Sequence, residues 1–416
     1  MKILNIHRFY YRRGGADAYY FGIRDVLEER GHQVIPFSTV LDDNFKTPYS
    51  RYFVDGYTEN TFNSLNAFSK VKLFVNGIYS SEAKRKLKAL IKDEKPDIAH
   101  IHGIFYQLSL SVLDAIKESK IPSVMSLNDY SILCANGYLY RNRNICELCK
   151  GGRHREIIRH KCYKDAFFPS LMAYLVKKIQ DKRKMFNYLS RFIVPQEEMK
   201  KLMVSWGLDP ERISLLHNPF EAGLYKPSYT SGDYIVFYGR FVRLKGVFTV
   251  LKAMRQLKDI KIKMFGFGPD YEEMQRYVSG NRLDNVEINT KLRWGKELID
   301  IISKAKFVIS APEWYTPNDY VVYESFSLGK PVVASAIGGN NSLIKNGNNG
   351  FLFNPADVDS LVEKIKELYP QESLIIQMGK NARGFVESKL NYKVFYNKLL
   401  TIYKDALEAR VLSKEV

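Results

Sequence analysis

Residues 312–335 read PEWYTPNDYVVYESFSLGKPVVAS. A short apolar strand pattern, Phe307 to Ser310, leads into this polar, aromatic loop. Glu324 then opens an expected helix, Gly329 and Pro331 end it, and Val332 to Ala334 form a second apolar strand. Strand, loop, helix and strand make the repeating unit of a parallel α/β sheet. A carboxylate at a helix start beside a strand end marks a ligand site, since open α/β sheets bind ligands beyond the carboxyl ends of their strands.

The same alternation extends in both directions. Downstream of ISLLHNPF the strands are expected at Tyr234–Tyr238, Ile260–Phe265, Val286–Asn289, Phe307–Ser310 and Val332–Ala334. The helices between and after them are expected at Val247–Leu257, Lys296–Lys304 and Asp357–Leu368. Upstream, strands are expected at Ile3–Ile6, Gln33–Phe37, Asp97–His102, Pro122–Leu127 and Arg191–Val194, with helices such as Ala16–Arg30 and Leu110–Glu118. Two Rossmann-like α/β domains follow, facing each other across a cleft. The first spans 1–218 and carries an insertion at 130–164; the second spans 219–390. A last helical pattern from Tyr392, within 391–416, has no strand after it and is expected to rejoin the first domain.

A chain of 416 residues is long enough for two such cores. With 45% hydrophobic and 26% charged residues it has an ordinary globular composition. No stretch approaches the ~18 apolar residues of a membrane span. The opening MKILNIHRFYYRRGG lacks the apolar run of a signal peptide, so a cytoplasmic protein is expected. The formal net charge of +18 suits an anionic partner. Nucleic acid is the rival partner, with Tyr138, Tyr140 and Tyr163 as stacking candidates. A basic recognition helix on a zinc finger is missing, however, and tandem α/β domains do not call for one, so no nucleic-acid role is expected.

Two loops suit phosphate chemistry. YGRFVRLKGVFTVLKAM places Arg240, Arg243 and Lys245 between a strand and a helix N-terminus, where free N–H groups and the helix dipole favour an anion. FGFGPD, Phe265 to Asp270, is a second glycine-bearing strand end, without the spacing of a dinucleotide or P-loop fingerprint.

Taken in order, these segments resemble the retaining glycosyltransferases of family 4, which have the GT-B fold. The markers are Gly239-Arg240…Lys245-Gly246, Gly266-Phe267-Gly268-Pro269, Glu324-x4-Gly329-Lys330-Pro331, Gly338-Gly339 and NGNNGFLF. The opening RRGGADAYYFGIRDVLEERG resembles the family's glycine loop and first helix. PDIAHIHGIFYQLSLSVLDAIKESKIPSVMSLNDYSILC resembles members that build capsule and O-antigen saccharides. The resemblance implies a metal-independent hexosyltransferase that moves a sugar from a nucleotide-diphosphate sugar to a saccharide acceptor, expected to be lipid-linked. Arg240 and Lys245 would hold the diphosphate, and Glu324 the ribose. Gly14 and Gly15 would admit the donor, and Gly268, Thr316, Asp319 and Tyr320 would complete its site.

Three positions depart from the family. Thr316 stands where the first Glu of an E-x7-E pair usually binds the sugar, Asn128 replaces a His near the reacting centre, and Ser342 replaces a Glu. Asp319 or Glu313 could restore the missing carboxylate. The alternative reading is a GT-B protein that binds nucleotide sugar or a partner with little turnover. Arg293 and Trp294 are candidates to flank the base.

Cys134, Cys146, Cys149 and Cys162 form C-x11-C-x2-C-x12-C inside the insertion, a spacing that suits a structural zinc. From Phe168 to Leu189 apolar residues recur at helical spacing among Lys177, Lys178, Lys182, Arg183 and Lys184. That pattern suits either a helix packed on the sheet or one lying on an anionic membrane, peripheral to its inner face.

Overall fold

The computed structural model describes residues 1–12, 14–58, 66–291 and 295–412. Arg293 and Trp294 lie outside the described residues, as do 413–416 of the terminal segment.

Two six-stranded sheets carry the fold. The first contains β1 (Lys2–Ile6), β2 (Gln33–Phe37), β3 (Ile98–Ile101), β4 (Ser123–Ser126), β5 (Arg191–Val194) and β6 (Ile213–Leu215). Their spatial order is β6-β5-β4-β3-β1-β2, and every pairing is parallel. The second contains β7 (Tyr234–Arg240), β8 (Lys261–Phe267), β9 (Val286–Asn289), β10 (Val308–Ser310), β11 (Val332–Ser335) and β12 (Gly350–Phe353). Its order is β9-β8-β7-β10-β11-β12, again all parallel. Strands such as β10 and β11 are buried at every residue, which is why they read as unbroken apolar runs rather than alternating ones. The order reverses between β1 and β3 in one sheet and between β7 and β10 in the other. Those reversals are where an open sheet leaves a crevice.

β6 and β12, each at a sheet edge, were not among the expected strands. A two-stranded hairpin, Tyr140–Arg141 with Asn144–Ile145, lies inside the insertion and was also unforeseen.

The helix after β10 corrects the opening reading. It runs Tyr320–Ser327 (α5 below), so Glu324 lies in its interior and Asp319 is its N-cap. The sequence Tyr-Val-Val-Tyr has little intrinsic helix preference. Burial of Val322, Tyr323 and Phe326 against the sheet overrides that preference.

The helices used below are α1 (Gly15–Glu28), α2 (Ala67–Ile78), α3 (Phe167–Lys182), α4 (Val247–Gln256), α5 (Tyr320–Ser327) and α6 (Tyr392–Leu412). The last returns to the first sheet: Phe395, Leu399, Ile402 and Tyr403 pack with Ile3, Tyr19, Ile23 and Val124. Tyr403 OH also bonds His100 Nδ1 at 2.7 Å. Among the described residues, no helix is long and apolar enough to cross a membrane.

Candidate functional site

β7 delivers Tyr238, Gly239 and Arg240 to the carboxyl edge of the second sheet, and β8 delivers Phe265 to Phe267 beside them. Gly246 closes the following loop with φ 70°. A Cβ there would lie 1.9 Å from the Ala311 carbonyl oxygen, so only glycine lets this loop press against the end of β10. Lys245 is thereby aimed at the start of α5. Arg240, Lys245, Asn318, Asp319, Tyr320 and Glu324 line one cavity of ≈ 340 Å³.

The electrostatics of this cavity are mixed. Lys245 Nζ lies 3.8 Å from Asp319 Oδ1. The Ser310 hydroxyl donates to Asp319 Oδ2, while Oδ1 accepts no hydrogen bond among the described residues. Asp319 is buried, and although it is the N-cap of α5 its side chain makes no capping bond. Burial pushes the half-buried Glu324 carboxyl up to about 8; the nearby Asp319 charge raises it further, while Tyr238 and Lys245 oppose the shift. A cavity that brings Arg240 and Lys245 together with two carboxyl groups can hold a phosphorylated, hydroxyl-rich ligand.

Several expected site residues are placed elsewhere. Thr316 is fully buried and its hydroxyl donates to the Asn318 carbonyl at 3.1 Å. Gly338 and Gly339 fix it there: Gly339 N–H donates to the Thr316 carbonyl, and a Cβ on Gly338 would collide with the Thr316 backbone. Gly268 packs on the backbone of Phe241, which explains the glycine without a ligand. Arg243 pairs with Glu273 and does not line the cavity. Glu313 accepts from Thr249 at 2.6 Å and from Tyr140 at 3.5 Å, so it is held away from the cavity.

The first domain contributes from across the cleft. Gly15, at the start of α1, leaves room for the Tyr320 ring, which a Cβ would meet at 3.2 Å; Gly14 has open space around it. Asn218 donates to Tyr320 OH at 3.1 Å and to Asn128 Oδ1 at 3.4 Å, linking Asn128 to α5. Asn128 itself lines a smaller cavity, ≈ 30 Å³, with His7, Arg8 and Asp129. Gln196 reaches Tyr323 OH, and the Ser342 hydroxyl donates to Glu198.

The histidines near this edge are buried and hydrogen-bonded. Gly103 N–H donates to His7 Nδ1, so His7 Nε2 carries the proton toward Asp17 at 2.9 Å. Burial pushes His100 down to about 3 and also lowers His102, so both are neutral.

The insertion spans the cleft. Tyr138 meets Trp314 edge-on at 5.2 Å between centroids, and Tyr315 OH donates to Glu147 at 3.5 Å. Its four cysteines are free and line one narrow void of ≈ 10 Å³. Their donor chemistry suits zinc, yet among the described residues no three His, Cys, Asp or Glu side chains are grouped to hold a metal ion. Cys134 Sγ donates to Asn136 and Cys162 Sγ to the Glu156 carbonyl.

Comparison with known proteins agrees with this geometry. The model of Glycosyltransferase Family 4 matches residues 13–223, and that of Glycosyl transferases group 1 matches residues 226–385. An uncharacterised glycosyltransferase of Methanocaldococcus jannaschii is 30% identical over 159 residues, covering 38% of this chain and 44% of that protein. The UDP-Gal:alpha-D-GlcNAc-diphosphoundecaprenol alpha-1,3-galactosyltransferase of Escherichia coli is 25% identical over 243 residues, covering 52% and 60%. The chain thus spans less than two thirds of either relative's length. Anabaena HepE, solved in complex with UDP, superposes with a TM-score of 0.65 at 16% identity over 100% of both chains. The two sheets with their facing carboxyl edges have the GT-B arrangement, and the chain belongs to glycosyltransferase family 4.

Proposed function

We propose that the protein is a retaining glycosyltransferase that moves a sugar from a uridine-diphosphate sugar to a saccharide carried on a lipid, in the assembly of a capsule, O-antigen or exopolysaccharide. The observation that carries this reading is the meeting of Arg240, Lys245, Asp319 and Glu324 in one cavity at the strand-order reversal. The UDP bound to HepE supports the nucleotide, and the name of the E. coli relative supports the lipid diphosphate acceptor.

In this reading Arg240 and Lys245 hold the diphosphate, and the Glu324 carboxyl meets the ribose hydroxyls. The acceptor hydroxyl oxygen bonds to the anomeric carbon on the face that the diphosphate leaves. The carbon–oxygen bond to the β-phosphate breaks, its electron pair goes to the phosphate, and that phosphate takes the hydroxyl proton. Two cations beside the leaving oxygens stabilise the charge that develops there. Asn128, tied through Asn218 to Tyr320, positions the acceptor side against α5.

The test is purified protein with a panel of nucleotide sugars and lipid-linked saccharides, the anomeric configuration of the product being read by NMR. Transfer with retention supports the reading. Donor binding without transfer or hydrolysis favours a binding protein of the same fold.

A further inference from the structure

Arg8 lies just past β1, at the carboxyl edge of the first sheet, where the strand order reverses. Its backbone is pinned from two sides. The N–H donates to the Gly103 carbonyl at 2.9 Å, and the carbonyl accepts from the Thr39 hydroxyl at 2.6 Å. The guanidinium carbon stands 5.4 Å from the centre of the Phe9 ring. A Cβ on Gly103 would come to 3.5 Å from Arg8 Nε, so the side chain lies against that glycine. Nε is buried with no hydrogen-bond partner, and Arg8 forms no ion pair among the described residues. A half-buried guanidinium left in this state costs stability unless a ligand or water satisfies it.

Arg8 shares the ≈ 30 Å³ cavity with Asn128, Asp129 and Ser131 of the loop after β4. Asp129 Oδ1 accepts from the Ser131 N–H at 2.8 Å, which fixes the carboxylate. The loop is held in turn by α3: Lys177 Nζ donates to the Ser131 carbonyl, and Gln180 Nε2 to the Ile132 carbonyl at 3.0 Å. Met172, Ala173, Val176 and Lys177 are buried, so this part of the lysine-rich helix is core packing. Every residue lining the cavity belongs to the first domain, and none is shared with the cavity that holds Arg240, Lys245 and Glu324.

We infer that Arg8 and Asp129 read a pair of adjacent hydroxyl groups on the acceptor sugar. A guanidinium only donates hydrogen bonds, a carboxylate only accepts them, and a hydroxyl does both. One hydroxyl oxygen accepts from Arg8 while its neighbour donates to Asp129. A phosphate or carboxylate on the ligand would suit Arg8 but would meet Asp129 as a like charge. The cavity has room for about two water molecules, which two hydroxyl groups would replace. The transferred sugar is the poorer occupant, because its nucleotide is held from the second domain and Asp319 there offers it a carboxylate of its own. The inference rests on the proposed transferase reading and names the part of the acceptor that the first domain recognises.

The experiment is ligand-observed NMR titration of methyl hexopyranosides and their monodeoxy analogues against the full chain, with and without UDP. The variants are Arg8→Met, which keeps the apolar stem, and Asp129→Asn, which keeps an acceptor for the Ser131 N–H. The wild type is expected to bind at least one glycoside, and to bind it about tenfold or more weakly when either hydroxyl of one adjacent pair is removed. Each variant should weaken the parent glycoside by a similar factor and abolish the preference for one hydroxyl of the pair. UDP affinity, measured by calorimetry, should be the same in all three proteins. Loss of UDP binding in every protein would sink the donor reading, while the titrations without UDP still decide the role of Arg8. Three results overturn the inference. The wild type binds no glycoside; the variants weaken parent and deoxy compounds alike or not at all; or Arg8→Met weakens UDP-hexoses but not UDP, which would give the cavity to the donor sugar.

Discussion

Lys245 Nζ stands 3.8 Å from Asp319 Oδ1, a buried oxygen with no hydrogen-bond partner among the described residues. A buried acceptor left without a donor costs stability unless a ligand or water satisfies it. The Ser310 hydroxyl fixes the other oxygen, so the free one has a defined direction. In the family a Glu eight residues before Glu324 usually makes the sugar contact. Here that position is the buried Thr316, and Asp319 is the nearby carboxylate that lines the cavity. Asp319→Ala is expected to weaken the nucleotide sugar by about tenfold or more, one charged hydrogen bond, while leaving UDP affinity nearly unchanged. Calorimetry with both ligands decides, and equal losses for the two would show that Asp319 acts only through Lys245.

Lys245→Ala should behave differently. Its ammonium group is placed for the diphosphate, so UDP and the nucleotide sugar should weaken together, by about tenfold to a hundredfold. Turnover should fall at least as far, because the contact is strongest as the leaving phosphate gains charge. Initial rates and UDP titration on the same variant test both statements.

Restoring the family residue by Thr316→Glu should fail. The Thr316 side chain is enclosed beneath the Gly338–Gly339 turn, and a carboxylate there would be buried without a partner. Expected are a loss of stability of several kcal/mol and no gain in activity. Thr316→Val, which removes only the bond to the Asn318 carbonyl, should cost about 1 kcal/mol and spare turnover. Thermal melts and rate assays on the pair check this.

These contrasts mark what the sequence could reveal. The sheets were legible because doubly buried strands leave continuous apolar runs, as at Val332 to Ser335. Arg240 and Lys245 could be picked out as loop cations between a strand and a helix, and Glu324 through the resemblance to the family's E-x7-E pair; the three line one cavity. The direction of Thr316 was not, since it depends on a turn more than twenty residues away. Nor was the placement of Glu313, whose partner Tyr140 lies 173 residues earlier in the chain. Lys177 reads as a surface lysine by every local criterion, and only tertiary packing buries it. The exposure of Phe68, Val71 and Val75 on α2 also escaped notice, because 3.6-residue periodicity identifies an apolar face without saying what covers it.

The cysteine cluster makes a chemical prediction. Burial, with the neighbouring thiols adding to it, pushes Cys149 up to about 12 and Cys162 up to about 11; burial also raises Cys134. Without a metal, Cys149 and Cys162 stay protonated at pH 8 and should alkylate at least about tenfold more slowly than in denaturant. Repeating the labelling after chelation tests for zinc. Unchanged slow labelling fits protonated thiols, whereas chelator-induced reactivity with about one zinc per chain by elemental analysis would show a closed tetrathiolate.

Glu324 sets a pH dependence whose sign follows from its surroundings. In the unfolded chain its carboxyl ionises near 4.5, and in the folded, ligand-free protein near 8. Between those values the native state holds a proton that the unfolded state has released. Stability therefore falls as pH rises through the window, with the full cost present above about 8. Glu324→Gln has no charge to bury, so it should melt close to wild type at pH 5 and above it at pH 8.5, the gap opening steadily between. Calorimetric melts of both proteins in buffers of low ionisation enthalpy measure that gap. A constant difference across the range would mean that Glu324 is ionised throughout, and that its shift is not imposed by the cavity that encloses it.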